Sequence, residues 1–178
     1  MRRRGNDIHA TSVLAGMAAG LLGGLAGAWV MTKVPSTVTR APEALRGERR
    51  QSQDGEASPA SEVADAVSTQ LFGHRLTEEE RPTAESLVHY TTGAGLGAVY
   101  GAMAALAPGV ARGRGLPFGA AVWLGLDEIT LAALGLAEPP THYPASRHAM
   151  GLVNHLAYGV TVDTVWRVVR RAADRATR

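Results

Sequence analysis

Six ionisable side chains interrupt stretches of the sequence that are otherwise almost free of charge. They are His89, Asp127, Glu128, His148, His155 and Asp163. At the centre of a membrane helix, a charged Asp or Arg costs about 2.5 to 3.5 kcal/mol on insertion scales, so such groups normally face one another. Paired histidines and carboxylates can relay protons, hold a cation or line a path for a polar solute. They can also act only as hydrogen-bond partners that fix helix register, and we favour this structural interpretation.

The spacing of these residues indicates which of them meet. If the segments are membrane helices, Asp127 lies roughly 16 Å and His155 about 20 Å from the same membrane surface, at 1.5 Å per residue. We therefore expect His155 to contact Asp127 or Glu128. Adjacent helical positions diverge by about 100°, so both carboxylates cannot point at this one histidine.

Two further placements follow from helical periodicity. His148, His155 and Asp163 share one face of their segment, which we expect to point into the protein. His89 would lie near the outer end of its own segment, close to His148. Metal binding by His89, His148 and a carboxylate is an open alternative, but no HExxH or comparable spacing supports it, so we predict no metal and no cofactor.

Sequence motifs of common enzyme classes are absent. There is no GxSxG, no P-loop and no GxGxxG that follows a strand. The glycine run at 93–97 resembles a phosphate-binding loop only in composition, because it lies inside an apolar stretch. We expect a protein without enzymatic activity and assign no catalytic residue.

The composition excludes other classes. The chain has 178 residues, 46% of them hydrophobic, and no cysteine, which excludes disulfides, thiolate metal sites and a cysteine nucleophile. The net charge is +2, but acidic residues gather between Glu43 and Glu85, so the basic charge lies towards the two ends. This is not the pattern of a nucleic-acid-binding protein, and we expect no nucleic-acid partner.

Four stretches are apolar and long enough to cross a membrane, since about 20 helical residues span a hydrocarbon core of roughly 30 Å. They are residues 10–31, 87–107, 116–137 and 148–166. We predict an all-α fold, a four-span transmembrane helical bundle that forms a single membrane domain over residues 1–178, with the lipid bilayer as its partner. The alternatives are a soluble helical bundle and, for the first stretch, a cleaved secretory signal.

Glycines recur at every fourth position in the first two stretches. They are Gly16, Gly20 and Gly24 in the first, and Gly93, Gly97 and Gly101 in the second. Residues four apart share a helix face, and glycines there allow a neighbouring backbone to approach closely. We expect the first two spans to pack through these faces. Homo-oligomerisation through the same faces, and a genome-wide excess of glycine and alanine, are the alternatives.

Short basic flanks indicate the orientation. Arginines gather at 2–4, at 112 and 114, and from Arg167 to the C-terminus. Cytoplasmic loops of membrane proteins are enriched in Lys and Arg, so we predict a bacterial inner-membrane protein with both termini in the cytoplasm.

The segment 35–85 would then lie outside. Residues 38–59 have few large apolar side chains and are typical of a solvated linker. Val63, Val67 and Leu71 predict a short amphipathic helix that ends at Gly73 and lies on the membrane surface or over the end of the bundle. After it, residues 77–80 have the pattern of a capping box.

Several blocks of the sequence resemble the YagU-like group of small bacterial inner-membrane proteins, which carry a domain of unknown function. The blocks are Ala28-Trp29-Val30-Met31-Thr32, Leu87-Val88-His89-Tyr90 with Gly97 to Gly101, Gly115 to Trp123, and Asn154-His155 with Tyr158-Gly159. The resemblance covers most of the chain but not the linker from Arg46 to Ala57. It implies a multi-pass inner-membrane protein and no established activity, so it assigns no catalytic residue.

Overall fold

A computed structural model describes residues 2–38, 59–136 and 139–176, and every regular element in these ranges is helical. The predicted all-α fold is therefore confirmed for this part of the chain. Most of the predicted linker, residues 39–58, lies outside the described residues. The five helices are α1 (Arg2–Val38), α2 (Pro59–Phe72), α3 (Arg81–Leu106), α4, which begins at Leu116, and α5 (Ala145–Ala176).

Helix α4 has three consecutive parts. An α-helical start over Leu116–Val122 continues as a π-helix over Trp123–Thr130 and ends as a short α-helical segment over Leu131–Ala133. Two 3₁₀ turns complete the connections: Pro108–Gly113 joins α3 to α4, and Pro140–His142 precedes α5.

The end of α4 corrects the sequence prediction, which extended the third stretch to Ala137. Gly135 adopts a positive φ of 69° and stops the helix. Its N–H donates to the carbonyl of Ala132 at 3.1 Å, and the N–H of Leu136 donates to that of Leu131 at 2.9 Å. These two bonds form a Schellman motif, which needs a residue that tolerates the left-handed region.

Among the described residues, two segments are long and apolar enough to cross a membrane, Ser12–Val34 and Leu116–Ala133. They correspond to the first and third predicted stretches. The second and fourth, 87–107 and 148–166, lie within α3 and α5. They do not reach the same hydropathy, because glycine and histidine dilute the apolar side chains of α3, and Asn154 and Asp163 those of α5.

Helix α1 runs antiparallel to both α3 and α5. It meets α3 where Gly16 lies against Gly101 and Gly24 against Gly93. On its other side, Gly23 of α1 lies against Val162 of α5. Helix α4 packs against α5, also in the antiparallel direction.

The contact between α1 and α3 has almost no room for side chains. A Cβ atom on Gly97 would lie 2.7 Å from the Cα atom of Gly24 and closer still to the carbonyl oxygen of Gly20. A Cβ atom on Gly16 would lie 2.6 Å from the carbonyl oxygen of Gly101. The two backbones are therefore in direct contact, as small residues at helix interfaces permit.

A second backbone contact joins α4 to α5. A Cβ atom on Gly119 would collide with the carbonyl oxygen of His155, and one on Gly115 with that of Gly159. Gly115 also has a φ of 80°, so both its conformation and its surroundings require glycine. The sequence analysis did not predict this contact.

Many of the large apolar side chains lie on the outside of the bundle. Leu14, Leu21, Leu22 and Trp29 of α1 are exposed, whereas Gly20, Gly24 and Ala28 of the same helix are buried. The largest fully buried side chains in the described residues are Tyr100, Tyr158, Val162 and Ser61. The interior is therefore built mainly from glycine, alanine and hydrogen-bonded polar groups.

Helix α2 contacts the start of α3 through its small polar face. Ser61, Ala64 and Ser68 are buried there, and the guanidinium of Arg81 donates to the hydroxyl of Ser61 at 3.1 Å and lies 3.4 Å from a carboxylate oxygen of Asp65. Of the predicted apolar face, Val67 and Leu71 are exposed and Val63 is half-buried, and the neighbouring Phe72 is exposed as well.

Residues 77–80 form reciprocal hydrogen bonds before α3. The N–H and hydroxyl of Thr77 donate to the carboxylate of Glu80 at 2.9 and 3.0 Å, and the N–H of Glu80 donates to the hydroxyl of Thr77 at 3.3 Å. This is a capping box, which satisfies backbone donors at the helix start.

The α1–α3 contact can be tested by substituting Gly97 with alanine. We expect Gly97→Ala to destabilise the purified protein by about 1 to 3 kcal/mol, the usual cost of overpacking, in denaturant unfolding followed by circular dichroism. Gly95→Ala is the matched control, because nothing lies within 4 Å of a Cβ atom at this position. It should leave stability unchanged or raise it by up to about 1 kcal/mol, since alanine is the better helix former. Equal effects of the two substitutions would contradict the contact.

The capping box predicts a pH dependence at the start of α3. The hydrogen bonds that Thr77 donates to the carboxylate hold the pKa of Glu80 below its ordinary value, and nearby His74 acts in the same direction. A lowered pKa stabilises the folded state above the ordinary carboxyl pKa, and this stabilisation is lost as pH falls through the lowered value. The protection of the backbone amides in the first turn of α3 against hydrogen exchange should therefore decrease as pH falls through the lowered pKa of Glu80.

In Glu80→Gln the same amides should be less protected at neutral pH and show no such pH dependence. Glu79→Gln is the control, because Glu79 makes none of these bonds, and it should behave as the unmodified protein does. A first turn whose protection does not change on acidification would contradict the assignment.

Candidate functional site

The π-helix in α4 carries two adjacent carboxylates, Asp127 and Glu128. Its wider turn is closed by the N–H of Leu131, which donates to the carbonyl of Leu126, five residues earlier. The hydroxyl of Thr130 donates to the carbonyl of Gly125 at 2.6 Å, also five residues earlier. Single π-turns occur frequently at functional sites, and a run of this length is rare.

Asp127 faces His155 on α5. The Nε2 atom of His155 lies 3.6 Å from Oδ2 of Asp127. Its Nδ1 atom donates to the carbonyl of Gly151 at 2.9 Å, which fixes the ring orientation. The side chain of His155 is 10% exposed and that of Asp127 34%, so the carboxylate has access to its surroundings from the outer side of the pair.

Glu128 pairs with a different histidine. The Nδ1 atom of His148 lies 2.7 Å from Oε1 of Glu128, and its Nε2 atom lies 2.9 Å from the carbonyl oxygen of Pro140. The sequence analysis expected that only one carboxylate would face His155, and the structure directs the second one to His148, seven residues earlier on α5. Successive side chains of a π-helix diverge by less than the about 100° of an α-helix, so both carboxylates can reach the same side of α5.

The positively charged side chain of Arg147 lies near the two pairs. The guanidinium of Arg147 stacks on the ring of Tyr143, with 3.5 Å between its central carbon and the ring centroid, and the same ring lies edge-on to His148. Arg147 is close enough to act electrostatically on both Asp127 and His148. The two pairs therefore occupy a charged end of α4 and α5.

Asp163 belongs to a separate network at the opposite end of α5. Its side chain is buried, accepts a hydrogen bond from the hydroxyl of Tyr100 at 2.5 Å and pairs with the Nε atom of Arg167 at 2.7 Å. Arg167 also donates to the carbonyl of Ala111 in the 3₁₀ turn. This network ties α3, α5 and the 3₁₀ turn together.

His89 forms its hydrogen bond with α1. Its Nε2 atom lies 3.0 Å from the carbonyl oxygen of Ala28 on α1, and its ring packs edge-on against Tyr90. The contacts of His89 in the described residues therefore do not include His148, which we expected to lie close to it. The six residues predicted as one buried cluster thus fall into two His–carboxylate pairs, one Asp–Tyr–Arg network and one histidine bonded to the backbone.

Sequence reasoning missed several residues of these networks. Arg147 and Tyr143 were not singled out. Arg167 was considered only as part of a basic flank, although it follows Asp163 by four residues, the usual spacing of a helical ion pair. Tyr100 was expected to face inward with the glycines of α3, but no partner was predicted for it. In the part of the chain that the structure describes, no three side chains of His, Asp or Glu gather where a metal ion could bind.

Comparison with known families adds one result. Residues 40–164, well over half of the chain, match a family described as a protein of unknown function (DUF1440). The chain belongs to this family. Its expected membership of a family of unknown function is thereby confirmed, and the match assigns no activity. No curated protein and no solved structure matches the chain.

The DUF1440 match includes α2 to α4 and most of α5, and thus both His–carboxylate pairs. It begins after α1, so the Ala28 to Thr32 block and the glycines of α1 lie outside the matched range. It also includes the segment from Arg46 to Ala57, which the YagU-like resemblance left unmatched. The two carboxylates of the π-helix therefore belong to the DUF1440 portion of the protein.

The Asp163 network predicts a large effect of a small substitution. Asp163→Asn removes the charge that faces Arg167 and should destabilise the protein by about 1 to 3 kcal/mol or more, the cost of leaving buried polar partners unsatisfied. Denaturant unfolding of the purified protein measures this loss. Tyr100→Phe is the matched control, because it removes one hydrogen bond to the same carboxylate and keeps the ion pair. It should cost about 1 kcal/mol; a larger loss for Tyr100→Phe than for Asp163→Asn would contradict this assignment.

Proposed function

We propose that this DUF1440 protein is a non-enzymatic, multi-pass protein of the bacterial inner membrane, similar to the YagU-like group, whose α1, α3, α4 and α5 all cross the bilayer. In this proposal both termini are cytoplasmic, and the His–carboxylate pairs lie within the bundle. The alternative is a small transporter or channel for protons, a cation or a small polar solute.

The observation that carries the proposal is the distribution of side chains across each helix. Leu87, Val99, Met103 and Leu106 of α3 are exposed, while its glycines and Tyr100 are buried. Val99, Met103 and Leu106 are spaced by four and three residues and so share one side of α3. Large exposed apolar patches are rare on soluble monomers. In hydrocarbon the same surface is solvated at no cost, and close packing of small residues holds the helices together.

The same distribution of side chains occurs in α4 and in the less apolar helix α5. Leu124 and Ile129 of α4 and Val153, Val160 and Val168 of α5 are exposed as well. Two of the polar residues that lower the hydropathy of α5, His155 and Asp163, are buried. A helix whose polar groups face its neighbours and whose apolar groups face outward can span a bilayer with modest average hydropathy.

The charges support the proposed orientation. Arg170 of α5 reaches the hydroxyl of Ser12 on α1 at 3.5 Å, and Arg167 bonds to Ala111 in the turn that also carries Arg112. The start of α1, the α3–α4 turn and the end of α5 therefore lie at one end of the bundle. This end carries the basic flanks expected on the cytoplasmic side.

The opposite end has the features of the membrane–water interface on the outer side of the inner membrane. Lys33 lies over the ring of Trp29, with 5.6 Å to its centroid, and aromatic and basic side chains are enriched at this level of membrane proteins. Helix α2 lies next to the start of α3 with Leu71 and Phe72 exposed. We propose that these side chains enter the outer lipid interface. The glycine faces are occupied by α1–α3 contacts, so a homo-oligomer would form through other surfaces.

Single cysteines can test the number of spans, because the chain has none of its own. We expect a membrane-impermeant maleimide to label Gln70→Cys and Thr141→Cys in intact spheroplasts. Gly109→Cys and Ala172→Cys should react only after permeabilisation. All four positions are exposed at turns or helix surfaces.

A two-span protein with only Ser12–Val34 and Leu116–Ala133 in the membrane gives a different pattern. In that case Gly109→Cys would be labelled from outside and Thr141→Cys would be protected. This pattern would overturn the four-span proposal, whereas Gln70→Cys and Ala172→Cys serve as controls because both arrangements predict the same result for them.

A further inference from the structure

Each of the two His–carboxylate pairs has one ring nitrogen bonded to a backbone carbonyl. In His155 this is Nδ1, 2.9 Å from the oxygen of Gly151. In His148 it is Nε2, 2.9 Å from the oxygen of Pro140. A carbonyl oxygen can only accept a hydrogen bond, so each of these nitrogens carries a hydrogen. The tautomer of each histidine is thereby fixed.

The second nitrogen of each ring faces a carboxylate oxygen. In a neutral imidazole with the fixed tautomer, Nε2 of His155 and Nδ1 of His148 present lone pairs. The oxygens opposite them, 3.6 Å away on Asp127 and 2.7 Å away on Glu128, also present lone pairs when ionised. Two acceptors repel each other, and a partly buried setting strengthens this repulsion.

One additional proton removes the repulsion in each pair. It converts the pair either to an imidazolium and a carboxylate or to a neutral imidazole and a carboxylic acid. Both forms have zero net charge. In the Glu128–His148 pair the proton completes a hydrogen bond at 2.7 Å, whereas at 3.6 Å the Asp127–His155 pair is an ion pair. Zero net charge also lowers the cost of placing the pair in a bilayer.

We propose that the π-helix of α4 and the facing side of α5 form a two-proton binding site, in which the Asp127–His155 and Glu128–His148 pairs each bind one proton. The proposal rests on the membrane location of the bundle proposed above. It extends the transport alternative by naming the ligand and the four side chains that bind it.

The two pairs differ in distance and exposure, and these differences indicate how readily each pair exchanges its proton. The Glu128–His148 pair is short, at 2.7 Å, and the Glu128 side chain is only 15% exposed. The Asp127–His155 pair is longer, and Asp127 is the more accessible of the two carboxylates. A proton between Asp127 and His155 is therefore the one that exchanges with the surroundings first, and it leaves the pair with one negative charge.

The two pairs are close enough to affect each other electrostatically. Asp127 and Glu128 are adjacent on α4, and the guanidinium of Arg147 stacks on Tyr143, whose ring lies edge-on to His148. A negative charge left on one pair opposes loss of the proton from the other, so the two protons titrate as a coupled pair.

A proton suits two facing groups better than a metal ion does. Zinc takes four ligands, and calcium takes six or more oxygen ligands. Each pair supplies one nitrogen and one carboxylate. This donor set is sufficient for a single proton.

The test is nuclear magnetic resonance of the full-length protein in lipid nanodiscs, with ¹⁵N-labelled histidine rings and ¹³C-labelled Asp and Glu carboxyl groups, over a pH series. We expect Nδ1 of His155 and Nε2 of His148 to remain protonated at every pH. At neutral pH each pair should contain one further proton, and as pH rises the signal of the Asp127–His155 proton should be lost first.

Two conservative substitutions serve as matched controls for each other. Asp127→Asn removes the carboxylate that faces Nε2 of His155, so His155 should be neutral at neutral pH while His148 is unchanged. Glu128→Gln should have the converse effect, with His148 neutral and the Asp127–His155 proton still present.

Neutral histidines beside ionised carboxylates in the unmodified protein at neutral pH would overturn the proposal. This measurement on the unmodified protein is decisive even if a variant fails to fold. The outcome is also separable from the membrane proposal, because cysteine labelling can establish four spans whether or not the pairs contain protons.

Discussion

The architecture depends on direct backbone contact between helices at positions that have no side chain. Along α1 and α3, and again along α4 and α5, a single added Cβ atom would collide with a carbonyl oxygen of the neighbouring helix. Contacts of this kind stabilise by van der Waals attraction over short distances and depend little on the exclusion of water. Most of the large apolar side chains are thereby left to the outer surface, and the proposed membrane location rests on this surface.

Polar side chains add what glycine contacts lack, which is a specific register. Tyr158 donates to the carbonyl of Gly93 at 2.6 Å, and Tyr100 to Asp163 at 2.5 Å, so two tyrosines fix α5 relative to α3. The His–carboxylate pairs fix α4 relative to α5 in the same way. Because slipping one helix along its neighbour would leave these buried groups without partners, the pairs contribute to specificity whatever further role they have.

The sequence allowed prediction of features that depend on a regular period. Glycines at every fourth position identify the two faces that meet between α1 and α3, and counting residues from the helix ends places Asp127 and His155 at similar depth. The α4–α5 contact escaped prediction because Gly115, Gly119 and Gly159 are divided between two segments and form no long run. The π-helix escaped because its wider turn leaves no periodic signal in so short a segment, and with it the pairing of Glu128 with His148.

Membership of the DUF1440 family does not identify the environment of the bundle. The central physical claim is that hydrocarbon, and not water, solvates its exposed leucines and valines. Fractionation of lysed cells, followed by extraction of the membrane pellet, tests this claim most directly. The account predicts that the protein sediments with the membranes, resists extraction by alkaline carbonate and is released by mild detergent. Protein that stays in the supernatant after high-speed centrifugation, folded and without detergent or lipid, would contradict it.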